Sequence, residues 1–450
     1  MKLTIPELSL VLLIGASGSG KSTFARKHFA PTEVLSSDFF RGLVSDDENN
    51  QAATSDAFEA LHFVAAKRLA GAHLTVIDAT NVQVEARKPL LALAREYHVL
   101  SAAIVLDVPE KLCLERNRDR PNRDFGPNVV RQHVQQLRRS LRGLQREGFR
   151  SVHVLSSAEE VETAEVERQP LWTNRTADHG PFDIIGDVHG CYDELVAILG
   201  NLGYEVSDDP TGADIKVQPP EGRKAVFVGD LVDRGPATPR VLELVMSMVR
   251  AGTALCVAGN HEARLLRKLR GRDVKLTHGL AESVQQLERE PEAFRSEVME
   301  FIDGLISHYV FDGGKLVVAH AGLPAPLQGR SSGRVREFAL YGETTGEVDE
   351  FGLPVRYDWA SEYRGQAMVV YGHTPVPEAT WLNRTICIDT GCVFGGRLTA
   401  LRYPERELVS VAAGQVYYAP ARPLASERPQ PDGASADGFV KLATMALIGC

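Results

Sequence analysis

The stretch GDLVDRG, residues 229–235, decides how the second half of this chain is interpreted. It follows the apolar run Lys224–Val228, so a strand is predicted to end there and to place Asp230 in a cleft. A carboxylate in such a position can bridge two divalent cations, and Arg234 can bind an oxyanion beside them. The first prediction is therefore a hydrolytic site with two metal ions.

Four further stretches follow apolar runs and carry suitable ligands: GDVHG (186–190), GNHE (259–262), AHAG (319–322) and GHTP (372–375). All five can meet at one edge of a sheet system. We predict that one metal is bound by Asp187 and His189, that Asp230 is shared, and that the other is bound by Asn260, His320 and His373. Imidazole and hard oxygen ligands suit Mn²⁺, Fe, Ni²⁺ or Zn²⁺ rather than Ca²⁺, and Mn²⁺ or Ni²⁺ is our expectation.

Four residues beside these ligands have predicted catalytic roles. Arg234 is expected to bind the phosphate oxygens, and His261 to protonate the leaving oxygen. Asp233 can orient His261, and Asp389 in CIDTGC can support the metal ligands. Histidines outside the motifs are predicted to be ordinary core or surface residues; these are His62, His133, His278 and His308.

A second site is indicated near the N-terminus by GASGSGKS, which satisfies the phosphate-loop pattern between a strand and a helix. Its glycines let backbone N–H groups surround phosphates, and the helix N-terminus adds positive potential. Lys21 would contact the β and γ oxygens of ATP, and Ser22 would ligate Mg²⁺. The predicted nucleotide-binding residues are Gly15, Ala16, Ser17, Gly18, Ser19, Gly20, Lys21, Ser22 and Thr23.

Phosphate transfer to an acceptor is favoured over simple ATP hydrolysis by SSDFFR. Asp38 follows a short strand, where a carboxylate can take a proton from an acceptor hydroxyl, although an N-cap aspartate is an open alternative. Arg41 can hold a phosphate of the acceptor. The arginine cluster in ERNRDRPNRDFG is typical of a lid that neutralises the transferring phosphoryl group, with Arg116, Arg120 and Arg123 as the predicted members.

The order of apolar runs and helical patterns predicts an α/β protein of two main domains. Residues 1–157 are expected to form a phosphate-loop domain on a parallel sheet, and residues 158–180 a linker that can hold a short strand or helix. Residues 181–418 are expected to form the metal-dependent hydrolase, with a helical insert over residues 263–311. Residues 419–450 are rich in Pro, Ala and Ser and are expected to be a flexible tail.

Bulk composition excludes several classes. No apolar run reaches the roughly 18 residues that a membrane span needs. Six scattered cysteines fit neither a zinc finger nor a disulfide framework, so a cytoplasmic protein is expected. The formal charge of -9 argues against a generally basic nucleic-acid-binding surface but leaves room for local arginine clusters.

The five motifs resemble the signature of the calcineurin-like binuclear metallophosphatases, a family with an α/β fold built on a β-sandwich. Joined to GASGSGKSTFARKHF, SSDFFR and DATNVQ, they resemble the bacterial polynucleotide kinase-phosphatases of RNA repair over residues 1 to about 415. The resemblance implies a bifunctional end-healing enzyme. Such an enzyme phosphorylates 5′-OH ends with ATP and Mg²⁺ and removes a 2′,3′-cyclic phosphate or a 3′-phosphate.

The resemblance also implies partners. RNA ends, or DNA ends, would be the substrates, and oligomeric state, including a homodimer, stays open. Members of that family continue into a ligase domain with a K-x-D-G motif, and this sequence contains no such stretch. We therefore expect a separate ligase to seal the ends.

Two other functions remain open on the sequence. One is a small-molecule kinase fused to a dinucleoside-polyphosphate hydrolase, which the GNHE and DVHG motifs allow and the acidic net charge favours. The other is a Ser/Thr protein phosphatase with an ATP-binding regulatory module. Asp38 and Arg41 argue against the latter, because a regulatory module needs no acceptor base. Salt dependence separates polynucleotide from small-molecule substrates.

Overall fold

The computed structural model describes residues 1–119, 126–208 and 215–420, which form two α/β units joined by a structured segment. The predicted fold class is confirmed: a parallel sheet forms the first unit, and two sheets packed face to face form the second. Within the described residues, no helix combines the length and the apolar character that crossing a membrane requires.

The first unit is built on a five-stranded, wholly parallel sheet with the order β3-β4-β2-β5-β6. All residues of the central strand β2 are buried because helices cover both faces, which explains its unbroken apolar sequence. The elements are β1 Lys2–Pro6, β2 Ser9–Gly15, α1 Lys21–His28, β3 Val34–Ser36, α2 Ser37–Ser45, α3 Thr54–Ala70, β4 Thr75–Asp78, α4 Val84–Glu96, β5 Leu100–Leu106, α5 Glu110–Arg118, α6 Pro127–Leu141 and β6 Ser151–Leu155.

The segment between the units contains a short helix and strands, as the expected linker allowed, and it pairs with both units. It contains α7 Ala158–Thr163, β7 Glu165–Gln169 and β8 Asn174–Arg175. Strand β7 pairs in parallel with β1, and β8 pairs in parallel with Val310 and Phe311 of the second unit. Its acidic and polar composition is consistent with the exposed residues of β7.

The second unit contains two main sheets, with the orders β13-β12-β9-β21-β22 and β19-β20-β18-β15-β14-β8. Its elements are β9 Phe182–Ile185, α8 Tyr192–Asn201, β10 Glu205–Asp208, β11 Ile215–Gln218, β12 Lys224–Phe227, α9 Thr238–Arg250, β13 Ala254–Cys256, α10 Asn260–Leu269, α11 Leu280–Glu288, α12 Glu292–Gly304, β14 His308–Phe311, β15 Leu316–Ala319, α13 Gly333–Tyr341, β16 Thr344–Val348, β17 Pro354–Arg356, α14 Trp359–Glu362, β18 Met368–Tyr371, β19 Trp381–Leu382, β20 Thr385–Cys387, β21 Arg397–Tyr403 and β22 Glu407–Ala412.

The two sheets pack face to face through one apolar layer. Phe182 and Val226 of the first sheet meet Phe311, Val318 and Val370 of the second, all fully buried. Helices cover the outer faces: α8 and α9 pack on the first sheet, and α13 and α14 on the second. Alternate residues of each strand therefore enter different cores, as expected for a sandwich.

The expected helical insert is mostly helical, but it ends earlier than predicted. Helices α10, α11 and α12 account for it up to Gly304, and the residues from His308 to Phe311 form a strand of the second sheet. The switch follows from the local sequence, since HYVF is β-branched and aromatic. Leu280, Leu287, Val298 and Ile302 of the insert pack into the core beside the first sheet.

The two units contact each other through the buried Arg330. Its guanidinium donates to the carbonyl oxygens of Tyr97, at 2.6 Å, and Ala70, at 2.8 Å. Ser332 Oγ lies 3.1 Å from His98 Nδ1 at the same contact. These polar contacts fix the first unit against the loop that precedes α13.

Candidate functional site

The predicted metal ligands come from strand ends in both sheets of the second unit. Asp187 and His189 follow β9, Asp230 follows β12, and Asn260 begins α10 just after β13. His320 and His373 follow β15 and β18 of the other sheet. Because the strands run in parallel towards the same edge, five motifs distant in sequence converge on one site.

Asp230 lies at the centre of this convergence. Its Oδ1 is 3.3 Å from Nε2 of His320, and its Oδ2 is 3.6 Å from Nε2 of His189. Around Nε2 of His320 lie Oδ1 of Asn260, at 2.9 Å, and Nδ1 of His373, at 3.0 Å. The two oxygens of one carboxylate thus face two separate groups of ligands.

Backbone carbonyls fix two of the imidazoles so that Nε2 faces the site. Nδ1 of His189 lies 2.7 Å from the carbonyl oxygen of Val232, and Nδ1 of His320 lies 3.0 Å from that of Val228. Each Nδ1 therefore donates its proton to the backbone, which leaves the Nε2 lone pair for a cation. Such hydrogen bonds commonly orient histidine ligands of metals.

The buried carboxylates of the site indicate that it binds cations. Burial, then the neighbouring charges of Asp389 and Asp230, raises the pKa of Asp187 well above its usual value. Burial also raises the pKa of Asp389 to about 6. Two buried polar atoms, Oδ1 of Asp187 and Nε2 of His373, have no hydrogen-bond partner among the described residues. Buried carboxylates that repel one another and acceptor atoms without donors fit a pair of divalent metal ions.

Two of the three predicted histidine ligands, His189 and His373, are held in the neutral form that metals bind; at His320 burial favours the neutral form, but the charge of Asp230 outweighs it and raises the pKa. Burial, then the charge of Arg234, lowers the pKa of His189 well below its usual value. Burial, then the charge of His320, does the same for His373. Burial opposes the charged form of Asp230, but His320 and His261 nevertheless keep the pKa of Asp230 well below its usual range. The shared ligand is therefore an anion among imidazoles.

The predicted acid and its orienting carboxylate are in contact. Nδ1 of His261 lies 2.6 Å from Oδ2 of Asp233, and Nε2 of His261 lies 3.8 Å from Oδ2 of Asp230. Arg234 donates to Nε2 of His189 at 2.6 Å and to Nε2 of His261 at 3.0 Å. A metal ion on His189 would require this guanidinium to turn towards the mouth of the site, where a phosphate would lie.

The loop that carries Asp230 has an unusual backbone. Asp230, Asp233 and Arg234 all have positive φ, at 49°, 72° and 72°. Side chains other than glycine adopt this region at a cost, and such residues collect at functional sites. The surrounding structure must therefore hold the loop in place.

Glu262 supplies that support, and our sequence analysis gave it no role. Its fully buried carboxylate accepts from the backbone N–H groups of Leu231 (2.7 Å), Val232 (3.3 Å), Asp230 (2.9 Å) and Gly259 (3.0 Å). A signal was available, because Glu262 is the third residue of a helix and the last letter of GNHE. A Cβ on Gly259 would collide with Asp230 and Glu262, so only glycine fits there.

A shallow pocket of about 290 Å³ opens beside Arg234. Glu282 and Gln286 of α11 line it, together with Val416 and Tyr417. The guanidinium of Arg234 also lies 5.1 Å from the ring centre of Phe394. The pocket offers apolar, aromatic and polar surface next to Arg234.

The phosphate loop of the first unit lies at the carboxyl edge of its sheet, between β2 and α1. Nζ of Lys21 contacts the carbonyl oxygens of Gly15 and Ala16, both at 2.9 Å. Gly18 and Gly20 have φ of 83° and 101°, and a Cβ on Gly18 would collide with the carbonyl oxygen of Cys113. The loop has the curved backbone that lets N–H groups surround a phosphate.

Asp38 lies in the first turn of α2, after the strand that is two places from β2 in the sheet. The alternative of an N-cap aspartate was wrong, since the cap is Ser36, whose Oγ accepts from the N–H of Phe39 at 3.5 Å. Arg41 is buried, forms an ion pair with Asp38 and donates to the carbonyl oxygen of Glu48 at 2.9 Å. In this arrangement Arg41 positions the predicted base.

The predicted lid is described only in part. Arg116 Nη1 approaches the phosphate loop at the carbonyl oxygen of Ser19, at 3.4 Å. Arg120 and Arg123 lie outside the described residues. Sequence reasoning missed two neighbours: Asp78, buried at the end of β4, and His133, whose Nδ1 lies 3.4 Å from Oγ of Ser17. Position at the end of a strand beside β2 was the available signal for Asp78.

Comparisons with known protein families match the two units separately. Residues 10–144 match an AAA domain family, and residues 180–405 match the calcineurin-like phosphoesterase family. The asymmetrical bis(5′-nucleosyl)-tetraphosphatase PrpE of Anoxybacillus flavithermus is 47% identical over 242 residues, which are 53% of this chain and 96% of that protein. The protein of the same name from Bacillus subtilis is 44% identical over 240 residues, 52% of this chain and 96% of its own length.

These relatives match only the phosphatase part, and no comparison confirms the resemblance to polynucleotide kinase-phosphatases in particular. The first unit is a kinase-like phosphate-loop domain fused to a metallophosphatase. The matched residues cover half of the chain and include every predicted ligand of the metal pair. This chain belongs to the calcineurin-like phosphoesterase family.

Proposed function

We propose that the second unit hydrolyses dinucleoside polyphosphates and that the first unit transfers phosphate from ATP to a nucleoside-type hydroxyl. The observation that carries the proposal is Asp230, whose two carboxylate oxygens face two separate sets of imidazoles. The choice of substrate is supported by the tetraphosphatases, which are matched over 96% of their length at 44–47% identity. It replaces RNA end healing, our first prediction, as the main candidate.

In the proposal, Asp187 and His189 hold one ion, Asn260, His320 and His373 hold the other, and Asp230 is shared. Mn²⁺ or Ni²⁺ is proposed there, and Mg²⁺ with ATP at the phosphate loop. When bound, such a pair polarises the scissile phosphate and lowers the pKa of the attacking water. The protein itself excludes solvent from the ligands, because Asp187, His189 and Asp230 are nearly fully buried.

The remaining steps belong to side chains. Arg234 binds non-bridging oxygens of the phosphate, and its stacking on Phe394 limits where the guanidinium can go. His261 gives the proton at Nε2 to the leaving phosphate oxygen, while Asp233 accepts from Nδ1 and stabilises the imidazolium. A nucleoside attached to that phosphate would extend into the pocket lined by Val416 and Tyr417.

The kinase step would take place in the first unit, at the carboxyl edge of its sheet. Lys21 contacts the β and γ oxygens of ATP, and Asp38 takes the proton of the acceptor hydroxyl. Arg41 keeps the carboxylate of Asp38 in place. Asymmetrical cleavage of a dinucleoside tetraphosphate yields a nucleoside triphosphate and a monophosphate, so the product of one unit is the class of donor that the other requires.

RNA end healing remains a second candidate because of Phe39. This residue follows the predicted base directly, and 57% of its surface is exposed, whereas the adjacent Phe40 is buried. An exposed aromatic ring beside an acceptor site can stack on a nucleobase at the end of a strand. Small nucleosides could use the same ring, so the candidates need an experiment.

In the experiment, the 450-residue protein is supplied with Mn²⁺ and ATP and assayed on two substrates in parallel. These are diadenosine tetraphosphate and an RNA oligonucleotide with 5′-OH and 3′-phosphate ends. We expect the tetraphosphate to be cleaved to ATP and AMP at the higher kcat/KM and with weak salt dependence. Asp187→Ala should abolish this cleavage, and Lys21→Ala should leave it unchanged. Faster removal of the 3′-phosphate, with a steep salt dependence, would overturn the proposal in favour of end healing.

A further inference from the structure

A group of side chains that could bind a metal lies beside the proposed metal pair and has no role in the proposed reaction. It consists of Cys191, Glu194 and Cys392, here called the thiol–carboxylate cluster. Their exposed fractions are 1%, 4% and 2%, so all three are essentially buried. The two Sγ atoms and one carboxylate oxygen lie within 4.8 Å of one another.

The cluster joins two loops of the phosphatase site to one helix. Cys191 caps the N-terminus of α8, and Glu194 lies in its first turn. Cys392 belongs to a short 3-10 turn, residues 392–394, just after Asp389. The Sγ of Cys191 lies 3.7 Å from the carbonyl oxygen of His189. The cluster therefore lies next to the segments that carry His189 and Asp389.

One carboxylate oxygen of Glu194 has unsatisfied hydrogen-bonding capacity, which indicates a missing ligand. Oε1 accepts from the N–H of Gly414 and from the hydroxyl of Tyr417, both at 2.8 Å. Oε2 is buried and has no hydrogen-bond partner among the described residues. A carboxylate oxygen without a donor inside a protein is costly, and a cation would remove that cost.

The donor types select the class of cation. Two cysteine sulfurs with a carboxylate oxygen suit Zn²⁺, which takes thiolate ligands at about 2.3 Å and carboxylate oxygen at about 2.0–2.2 Å. Magnesium and calcium avoid sulfur. A hydrogen bond with Cys191, together with burial, raises the pKa of the Cys392 thiol, as expected where potential anions converge without a counter-charge.

We propose that Cys191, Glu194 and Cys392 bind a third metal ion of the zinc class, separate from the pair around Asp230. Binding forms two metal–sulfur bonds and one metal–oxygen bond, and the two thiol protons pass to solvent. The ion would hold α8 and the loop of Asp389 together. Through Oε1 of Glu194 it would also hold Gly414 and Tyr417, which carry one wall of the pocket beside Arg234.

A disulfide between the two cysteines is the competing explanation. It would remove both thiol hydrogens and add no positive charge, so Oε2 of Glu194 would stay without a partner. The metal accounts for all three side chains, and the disulfide for only two.

Cobalt(II) tests the proposal directly, because thiolate–cobalt bonds give a charge-transfer band in the near ultraviolet. The predicted ligands of the metal pair are only oxygen and nitrogen, so they cannot give that band. We expect the metal-free protein to gain the band on titration with Co²⁺, with the final intensity of one thiolate-bound ion per chain. Cys191→Ser and Cys392→Ser should each remove most of its intensity. Asp230→Asn, which disrupts the pair, should retain it.

Two further variants distinguish loss of a metal ligand from misfolding. Cys256→Ser alters another buried cysteine of the same unit and should keep the full band. Glu194→Gln keeps both thiols and should shift the band and weaken cobalt binding. Absence of the band in the wild-type protein, its full retention in Cys392→Ser, or a native mass two hydrogens short would overturn the proposal. These readouts do not depend on which phosphate substrate the enzyme uses.

Discussion

Replacement of Glu262 by Gln tests how the protein holds the loop of Asp230. The carboxylate accepts four backbone N–H groups, two on each oxygen. Glutamine keeps one oxygen and places an NH₂ group against the other two donors. Hydrogen bonds to a charged group are worth roughly 1.5–3 kcal/mol each, so losing two should cost about 3–6 kcal/mol. Burial raises the pKa of Glu262 to about 7, so this full cost is expected above pH 7, where the carboxylate is ionised.

The same change should weaken metal binding. Asp230, Asp233 and Arg234 hold positive φ angles, and the Glu262 carboxylate is the group that ties Asp230 and the next two N–H groups to α10. Released from it, the loop should relax and displace the shared ligand. Loss of a residue that supports metal ligands typically reduces metal affinity by about 10- to 100-fold.

Two assays separate these effects. Urea unfolding of metal-free protein measures the free energy of unfolding, and calorimetric titration with Mn²⁺ measures affinity. Glu288→Gln, on the exposed face of α11, makes the matched control and should change neither. A Glu262→Gln protein with wild-type unfolding free energy and wild-type manganese affinity would refute the role assigned to this carboxylate.

Three further predictions concern other parts of the molecule. Asp233→Asn should lower kcat by roughly 100-fold for a substrate with a poor leaving group and much less for p-nitrophenyl phosphate, because it impairs proton donation by His261; equal losses on both would contradict that role. Burial lowers the pKa of His308 to about 3, from 6.5. The stability that neutral His308 contributes is complete above pH 6.5 and falls as pH drops towards 3. In urea unfolding, the free energy of unfolding relative to His308→Gln should therefore fall by about 2 kcal/mol between pH 7 and 5. A difference that stays constant with pH would refute this. The buried Arg87 donates two hydrogen bonds to the carboxylate of Glu147, at 2.6 and 2.8 Å. Arg87→Met leaves that carboxylate without its partner and should destabilise the first unit by about 3–5 kcal/mol in thermal unfolding. Lys88→Met, at an exposed position, should have no such effect.

The sequence was informative wherever a motif follows an apolar strand. The alternation of strands and helices predicted the parallel sheet, and the ends of those strands carry Lys21, Asp38, Asp187 and Asp230 close to where they were expected. Parallel strands end at a common edge, so spacing along the chain was enough to predict which motifs would share a site. The structure brings Asp187 and Asp230 into one site, and the roles of all four residues stay predictions.

What the sequence could not predict depends on long-range contacts. Arg41 was expected to bind a substrate phosphate, but its burial against Asp38 appears only when α2 packs in place. The segment expected to be a linker is structured because β7 pairs with β1, more than 150 residues away, and no local pattern encodes such pairing. The absence of a hydrogen-bond partner for Oε2 of Glu194 could not be predicted either, because the groups around this carboxylate come from three distant segments.

The central claim is that one carboxylate, that of Asp230, is shared by two metal ions. Anomalous diffraction from crystals grown with Mn²⁺ measures this directly. We predict two manganese peaks on either side of that carboxylate, one beside Asp187 and His189 and the other beside Asn260, His320 and His373. A single peak, or two peaks that do not share Asp230, would contradict the account.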